Sequence, residues 1–250
     1  MRLIVTEDYE SLSRVGADMV ADIAAAQPTA TVVPAMGDTP MGIYAELAAW
    51  RQRGEIDASR LRVFQLDEYA GIGADDPRSL YGWLLRSFVE PLGITEANVV
   101  RLRGDVEDLE AACRVYEEAA QEAGGFDLVI LGLGPNGHLG FNEPPSEPDA
   151  PTRAVELTEE SLESNARYWG GRHRVPRTAV TVGMDLLLSA KHVLLVVSGA
   201  HKSDILRRTV TGPATPDLPA SLLQGAANVT VLADRAAWPF GPITTGDTRP

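Results

Sequence analysis

The chain has 250 residues, 44% of them hydrophobic and 23% charged, which is enough apolar content to bury a sizeable core. Its 35 acids against 22 bases give a formal net charge of −13, so nucleic acid is a poor partner and a solvated acidic surface is expected. No apolar run is long enough to cross a bilayer, no signal-peptide pattern opens the sequence, and Cys113 stands alone; the expected setting is reducing and cytoplasmic.

Taken in chain order, short β-branched runs alternate with longer amphipathic stretches. A helix is predicted over Tyr9–Ala26, a strand over Thr31–Pro34, and a helix over Met41–Arg53. Leu61–Leu66 reads as a strand, Ser79–Val89 as a helix, Asn98–Leu102 as a strand and Val106–Glu122 as a helix. Strands follow at Asp127–Gly132, Thr178–Val182, His192–Ser198 and Asn228–Ala233. Leu128-Val-Ile-Leu131 and Val193-Leu-Leu-Val-Val197 are apolar at every position, as central strands covered on both faces must be. The pattern predicts a doubly wound, mainly parallel α/β sheet with helices on both faces, as one domain over 1–250. The proline- and acid-rich Pro144–Pro151 reads as a loop over a site, and the tail Trp238–Pro250 as a surface segment.

Ligands of such sheets bind beyond the carboxyl ends of the strands, and four polar clusters lie there. The first is Met36-Gly-Asp-Thr-Pro40, a glycine turn feeding a helix whose free N–H groups suit a phosphate, with Thr39 as a cap or phosphate ligand. Asp38 opposes that reading unless it points away, and a plain strand–helix turn is the alternative. The second is Phe64-Gln-Leu-Asp-Glu-Tyr69, where a partly desolvated Asp67 suits general-base work. An acid capping the turn ahead of Gly71 and Gly73 fits equally well. The third, Leu131–Pro144, has four glycines in its first ten residues and carries Asn136, His138, Asn142 and Glu143. A His with a carboxylate five residues on forms a base–orienter pair if the loop folds back. The fourth is split between Ser164-Asn-Ala-Arg167 and Ser198-Gly-Ala-His-Lys202, which offer a guanidinium fork and a point charge to a phosphoryl group. Only Lys191 and Lys202 among the 22 bases are lysines, which draws the eye to the second of them.

Together these segments resemble the glucosamine-6-phosphate deaminase (isomerase) family. The likeness rests on the Gly-Thr-Pro-type loop, Asp67-Glu-Tyr69, Gly137-His-x-x-Phe-Asn-Glu-Pro144, Ser164-Asn-x-Arg167, Thr181-Val-Gly183 and the His-Lys after a strand. The resemblance implies an aldose-to-ketose isomerisation coupled to loss of ammonia from an amino sugar phosphate, with no metal or organic cofactor. It implies Asp67 as the base that moves a proton between C2 and C1, and His138 as the ring-opening base assisted by Glu143 and Asn136. It implies Gly37, Asp38, Thr39, Arg167 and Lys202 around the phosphate, and admits a homo-oligomer. The phosphate loop departs from the family pattern, since Met36 and Asp38 stand where small residues are usual.

A 6-phosphogluconolactonase-type hydrolase is the rival enzyme reading, disfavoured by Asp67–Tyr69 and Phe141–Pro144. A non-catalytic sugar-phosphate sensor domain is the other rival. It calls for a helix-turn-helix with a basic face, and no such basic stretch occurs in these residues.

Overall fold

The computed structural model describes residues 1–241. Among them, seven parallel strands form the main sheet: β1 (Arg2–Thr6), β2 (Thr31–Pro34), β3 (Arg62–Phe64), β5 (Val99–Val100), β6 (Leu128–Gly132), β9 (His192–Val197) and β10 (Val229–Asp234). Their order is β1-β10-β9-β6-β2-β3-β5. Three strands, β4 (Asp67–Tyr69), β7 (Arg153–Glu156) and β8 (Thr178–Thr181), make a separate antiparallel sheet in the order β4-β8-β7.

The main sheet is covered on both faces because its strands alternate between two apolar layers. Leu128, Ile130, Leu194 and Val196 pack with α1 (Tyr9–Ala26), α2 (Met41–Gln52) and α3 (Leu80–Leu84, continued by a π turn to Val89). Val129, Leu131, Val193 and Leu195 pack on the other side with α4 (Leu109–Glu122), α6 (Met184–Ser189) and α7 (Ser203–Thr211). Adjacent residues of one strand thus serve opposite layers. A third cluster, with Tyr69, Phe141, Leu162 and Trp169, joins the small sheet to α5 (Glu159–Trp169).

Local chemistry sets the helix starts. Asp8 accepts from the Ser11 N–H at 2.8 Å, Asp108 from Ala111 at 2.8 Å, and Thr158 from Ser161 at 3.3 Å, each satisfying an orphan donor of a first turn. No helix among the described residues is long and apolar enough to cross a membrane.

Several expectations are corrected here. The strand expected to run to Leu66 leaves the main sheet after Phe64, and β4 begins at Asp67. Gln65 makes that turn: its side chain donates to the Asp67 carbonyl and accepts from the Leu102 N–H, so the bend keeps its buried polar groups paired. Thr178–Val182 is a strand, but in the antiparallel sheet. Pro144–Pro151 is a loop that does not line the cavity; Ser146 is buried and bound to the Glu143 carbonyl and to the Pro216 carbonyl. Trp238 is buried rather than lying on the surface, and the rest of that segment beyond 241 lies outside the described residues.

Candidate active site

From β2 the chain builds outward through β3 to β5, then returns to place β6 on the other side of β2 and continues to β9 and β10. The direction of building reverses between β2 and β6, and an open parallel sheet leaves a crevice there at its carboxyl ends. A cavity of about 1030 Å³ occupies that place. Its wall includes the residues after β2, after β6 and after β9, with Asp67, His138, Arg167 and Lys202 among them. Four sequence clusters far apart in the chain therefore meet in one cavity.

Asp67 is buried, and its carboxyl is pushed up to about 8, first by burial and then by the charge of Glu68. A group poised there can take and return a proton near neutral pH. Its neighbour Glu68 points the other way along the strand and is wholly buried. The Glu68 oxygens accept from the Tyr69, Leu80 and Tyr81 N–H groups, the Ser79 hydroxyl and the Gln65 amide, at 2.7 to 3.2 Å. Of the paired acids, one faces the cavity and one clamps the start of α3. Glu68 does cap backbone donors, but those of the first turn of α3, beyond Gly71 and Gly73 rather than ahead of them.

The glycine-rich loop does fold back. Glu143 Oε2 lies 3.4 Å from His138 Nδ1. It also accepts from the Asn136 amide at 2.8 Å and the Thr158 hydroxyl at 3.2 Å. Burial alone pushes the Glu143 carboxyl up, yet the hydrogen bond and charge of His138, with hydrogen bonds from Ser161 and Asn136, hold it at about 2. The carboxylate is therefore charged across the physiological range. A proton held on Nδ1 between Glu143 and the Ser161 hydroxyl, 3.1 Å away, leaves Nε2 as the ring's free acceptor.

Two glycines make this arrangement possible. A Cβ on Gly134 would lie 2.3 Å from the His138 ring, so only glycine lets the imidazole rest against that backbone. Gly140 has φ +60°, and a Cβ there would meet the Thr181 hydroxyl at 2.8 Å and Asp67 Oδ2 at 3.5 Å. The His138 loop thus passes directly over Asp67. Asn142 belongs to the scaffold: it donates to the Leu139 and Val182 carbonyls and accepts from Arg153.

The anion-binding half differs from expectation. Thr39 lines the cavity but does not cap α2; Pro40 holds the capping position, with no side-chain hydrogen bond. The α2 N-terminus is also less open than a phosphate cradle requires, because Gly42 N–H donates to the Tyr9 hydroxyl at 2.9 Å. Gly37, at φ +148°, keeps the turn and lines the cavity. Asp38 is not a free repulsive charge: its Oδ2 pairs with Arg167 at 2.6 Å, and its Oδ1 accepts from the Tyr168 hydroxyl at 2.9 Å. Lys202 donates to the Leu133 carbonyl at 2.7 Å, and burial, then the Arg167 charge, lowers its pKa. Asp234 supports its loop by accepting from Ser198 and Gly199.

Sequence reasoning missed Ser161, Thr158, Tyr9 and Tyr168. Thr158 carried a signal, a hydroxyl ahead of two acids at a helix start, but nothing local places that helix over the cavity. Among the described residues, no group of three or more His, Cys, Asp or Glu is placed to hold a metal.

Comparison with known proteins identifies the family. Residues 7–232 match the family described as glucosamine-6-phosphate isomerases/6-phosphogluconolactonase. Glucosamine-6-phosphate deaminase 2 of Bacillus subtilis (strain 168) is 39% identical over 239 residues, 95% of this chain and 96% of that protein. A solved monomeric glucosamine-6-phosphate deaminase superposes with a TM-score of 0.92 at 36% identity, covering 95% of this chain and 98% of that one. The 6-phosphogluconolactonase of Trypanosoma brucei, with a TM-score of 0.75, 22% identity and coverage of 96% and 98%, shares the fold. The chain belongs to the glucosamine-6-phosphate isomerase/6-phosphogluconolactonase family.

Proposed function

We propose that this chain is an amino sugar phosphate deaminase that converts glucosamine 6-phosphate and water to fructose 6-phosphate and ammonia. The observation that carries the reading is the pairing, across one cavity, of a buried carboxyl near pKa 8 with a histidine backed by a charged carboxylate. The reaction needs two such groups because it moves two kinds of proton.

His138 takes the proton of the C1 hydroxyl and returns one to the ring oxygen, which opens the pyranose. Glu143 stabilises the imidazolium formed in that step, and Asn136, a neutral amide, orients the carboxylate. Asp67 then removes the proton from C2 and delivers it to C1 through an enolamine. The resulting imine at C2 takes up water and loses ammonia, so the overall change is hydrolytic although the central step is an isomerisation. Lys202 and Arg167 hold the phosphoryl group, the second after parting from Asp38. A small-molecule substrate, a lone buried thiol at Cys113 and a cytoplasmic setting are consistent with one another.

The test is a screen of amino sugar phosphates, free amino sugars and 6-phosphogluconolactone. Ammonia and fructose 6-phosphate released one for one from glucosamine 6-phosphate support the reading. Lactone hydrolysis without ammonia release, or no turnover of any phosphorylated amino sugar, sinks it.

A further inference from the structure

Asp38 uses both carboxylate oxygens on two consecutive residues in the last turn of α5. Oδ2 meets the Arg167 guanidinium at 2.6 Å, and Oδ1 accepts from the Tyr168 hydroxyl at 2.9 Å. Arg167 closes the triangle: its Nη2 donates to that hydroxyl at 2.7 Å, and its guanidinium lies 4.6 Å from the Tyr168 ring centre. The Asp38 backbone is held as well, since the Tyr9 hydroxyl donates to its carbonyl at 3.1 Å. Lys202 and Arg167, two of the four Lys and Arg side chains that line the cavity, are therefore unlike. Lys202 donates to a neutral carbonyl, whereas Arg167 already has a counter-ion within the chain.

We propose that Asp38 is a specificity-determining residue, a built-in anionic competitor for Arg167 that sets how strongly the site prefers phosphorylated ligands. The proposal rests on the amino sugar phosphate reading for its ligand class. A phosphoryl dianion reaches the Arg167 fork only by displacing the Asp38 carboxylate. The side chains are 58% and 63% exposed, so the pair is solvated and the displacement is feasible, but every anion meets the same opposition. Phosphate alone then binds weakly, and contacts to the sugar decide occupancy. Such opposition to the wrong ligand narrows specificity without adding a contact to the right one. An uncharged sugar neither gains nor loses by it.

The experiment is calorimetric titration with inorganic phosphate, glucosamine 6-phosphate and glucosamine, at pH 8 and constant ionic strength, every protein carrying Asp67→Asn so that turnover adds no heat. That parent is compared with Asp38→Asn, Asp38→Ser, Arg167→Ala and Asp38→Asn/Arg167→Ala made in it. Both Asp38 variants bind phosphate and glucosamine 6-phosphate about two- to fivefold more tightly than the parent, the range of an exposed ion pair. Glucosamine shows no such gain, and in the Arg167→Ala background the gain disappears. Equal or weaker phosphate binding by the Asp38 variants overturns the proposal, as does an undiminished gain without Arg167 or absence of phosphate binding throughout. If the phosphate series behaves as expected while wild type turns over no amino sugar phosphate, the deaminase reading fails and the counter-ion role stands.

Discussion

Asp67 and Glu68 are neighbours in sequence with the same functional group, and their surroundings give them opposite work. Glu68 accepts five hydrogen bonds and behaves as structure, while burial leaves Asp67 holding its proton to about pH 8. Replacing Asp67 with Asn keeps the shape and removes the base, so turnover should fall by about 10²- to 10⁴-fold. In wild type, kcat/KM should rise with pH toward about 8 as the carboxyl ionises. Stability should move the other way. Between the ordinary carboxyl value and about 8 the folded chain binds a proton that the unfolded chain has lost, so raising the pH through that window destabilises the fold. Asn has no such penalty. The melting temperature of Asp67→Asn should therefore exceed that of wild type by more at pH 9 than at pH 6, and a pH-independent difference would refute the buried-base assignment. His138, Glu143 and Ser161 form one unit around Nδ1, so Glu143→Gln and Ser161→Ala should each slow ring opening. Against His138→Ala neither should cost much more, since rate losses within a unit are not multiplicative; a fully multiplicative double variant would separate them. Asp67 at the start of β4, His138 and Glu143 in the loop after β6, and Lys202 in the turn after β9 stand out in the sequence because each sits in a contiguous motif, and Arg167 because of a motif that lies within α5. Ser161 could not, because it reaches His138 across 23 residues of chain and nothing local reports that approach.

At the scale of elements, the strands legible in the sequence are β2, β3, β5, β6, β8, β9 and β10, most of them carrying buried, apolar runs. Of those overlooked, β4 is buried but only three residues long, and the other two are half-exposed. The edge strand β1 has a mixed burial pattern, and β7, Arg-Ala-Val-Glu, presents no buried position at all. Their strand character comes from partners far away in the chain, β10 and β8, which periodicity cannot supply. The small antiparallel sheet was unreadable for the same reason, and with it the bend at Gln65 that turns Asp67 into the cavity. Glu68 shows how one element can depend on one side chain. It ties β4 to the first turn of α3, where Ser79 caps Gly82 N–H and itself donates to Glu68. Glu68→Ala strands several buried donors at once, so destabilisation of about 3 kcal/mol or more is expected, from urea midpoints at unchanged slope. Ser79→Ala, which removes one cap, should cost about 1 kcal/mol. If Glu68→Ala proves no worse than Ser79→Ala, the clamp is not what holds α3.

At the scale of the whole molecule, the two large apolar layers have no covalent or spatial gap between them. They are the two sides of one sheet, so each central strand contributes alternate residues to both. Ile130 and Leu131 are adjacent and fully buried, yet Ile130 packs with the layer of α1 and α2, and Leu131 with that of α4 and α6. A sheet cannot lose one layer and keep its strands paired, since exposing that face to water removes the main driving force for both. One cooperative domain is therefore proposed, despite the third cluster around Tyr69 and Trp169 and the separate small sheet. Ile130→Ala and Leu131→Ala should each destabilise the protein by about 2–5 kcal/mol, the usual range for emptying a buried aliphatic position. Both should shift the same calorimetric transition to lower temperature, with near-ultraviolet and far-ultraviolet circular dichroism remaining superimposable. Two independently folding units would behave otherwise: each variant would move its own peak and leave the other in place. The small sheet supplies a stricter version, because Phe141 packs in the third cluster while its chain neighbour Gly140 lies against Asp67. Phe141→Ala should lower that same single transition and not create an early, partial one; a separate low-temperature melt would show the small sheet and α5 folding apart from the main sheet.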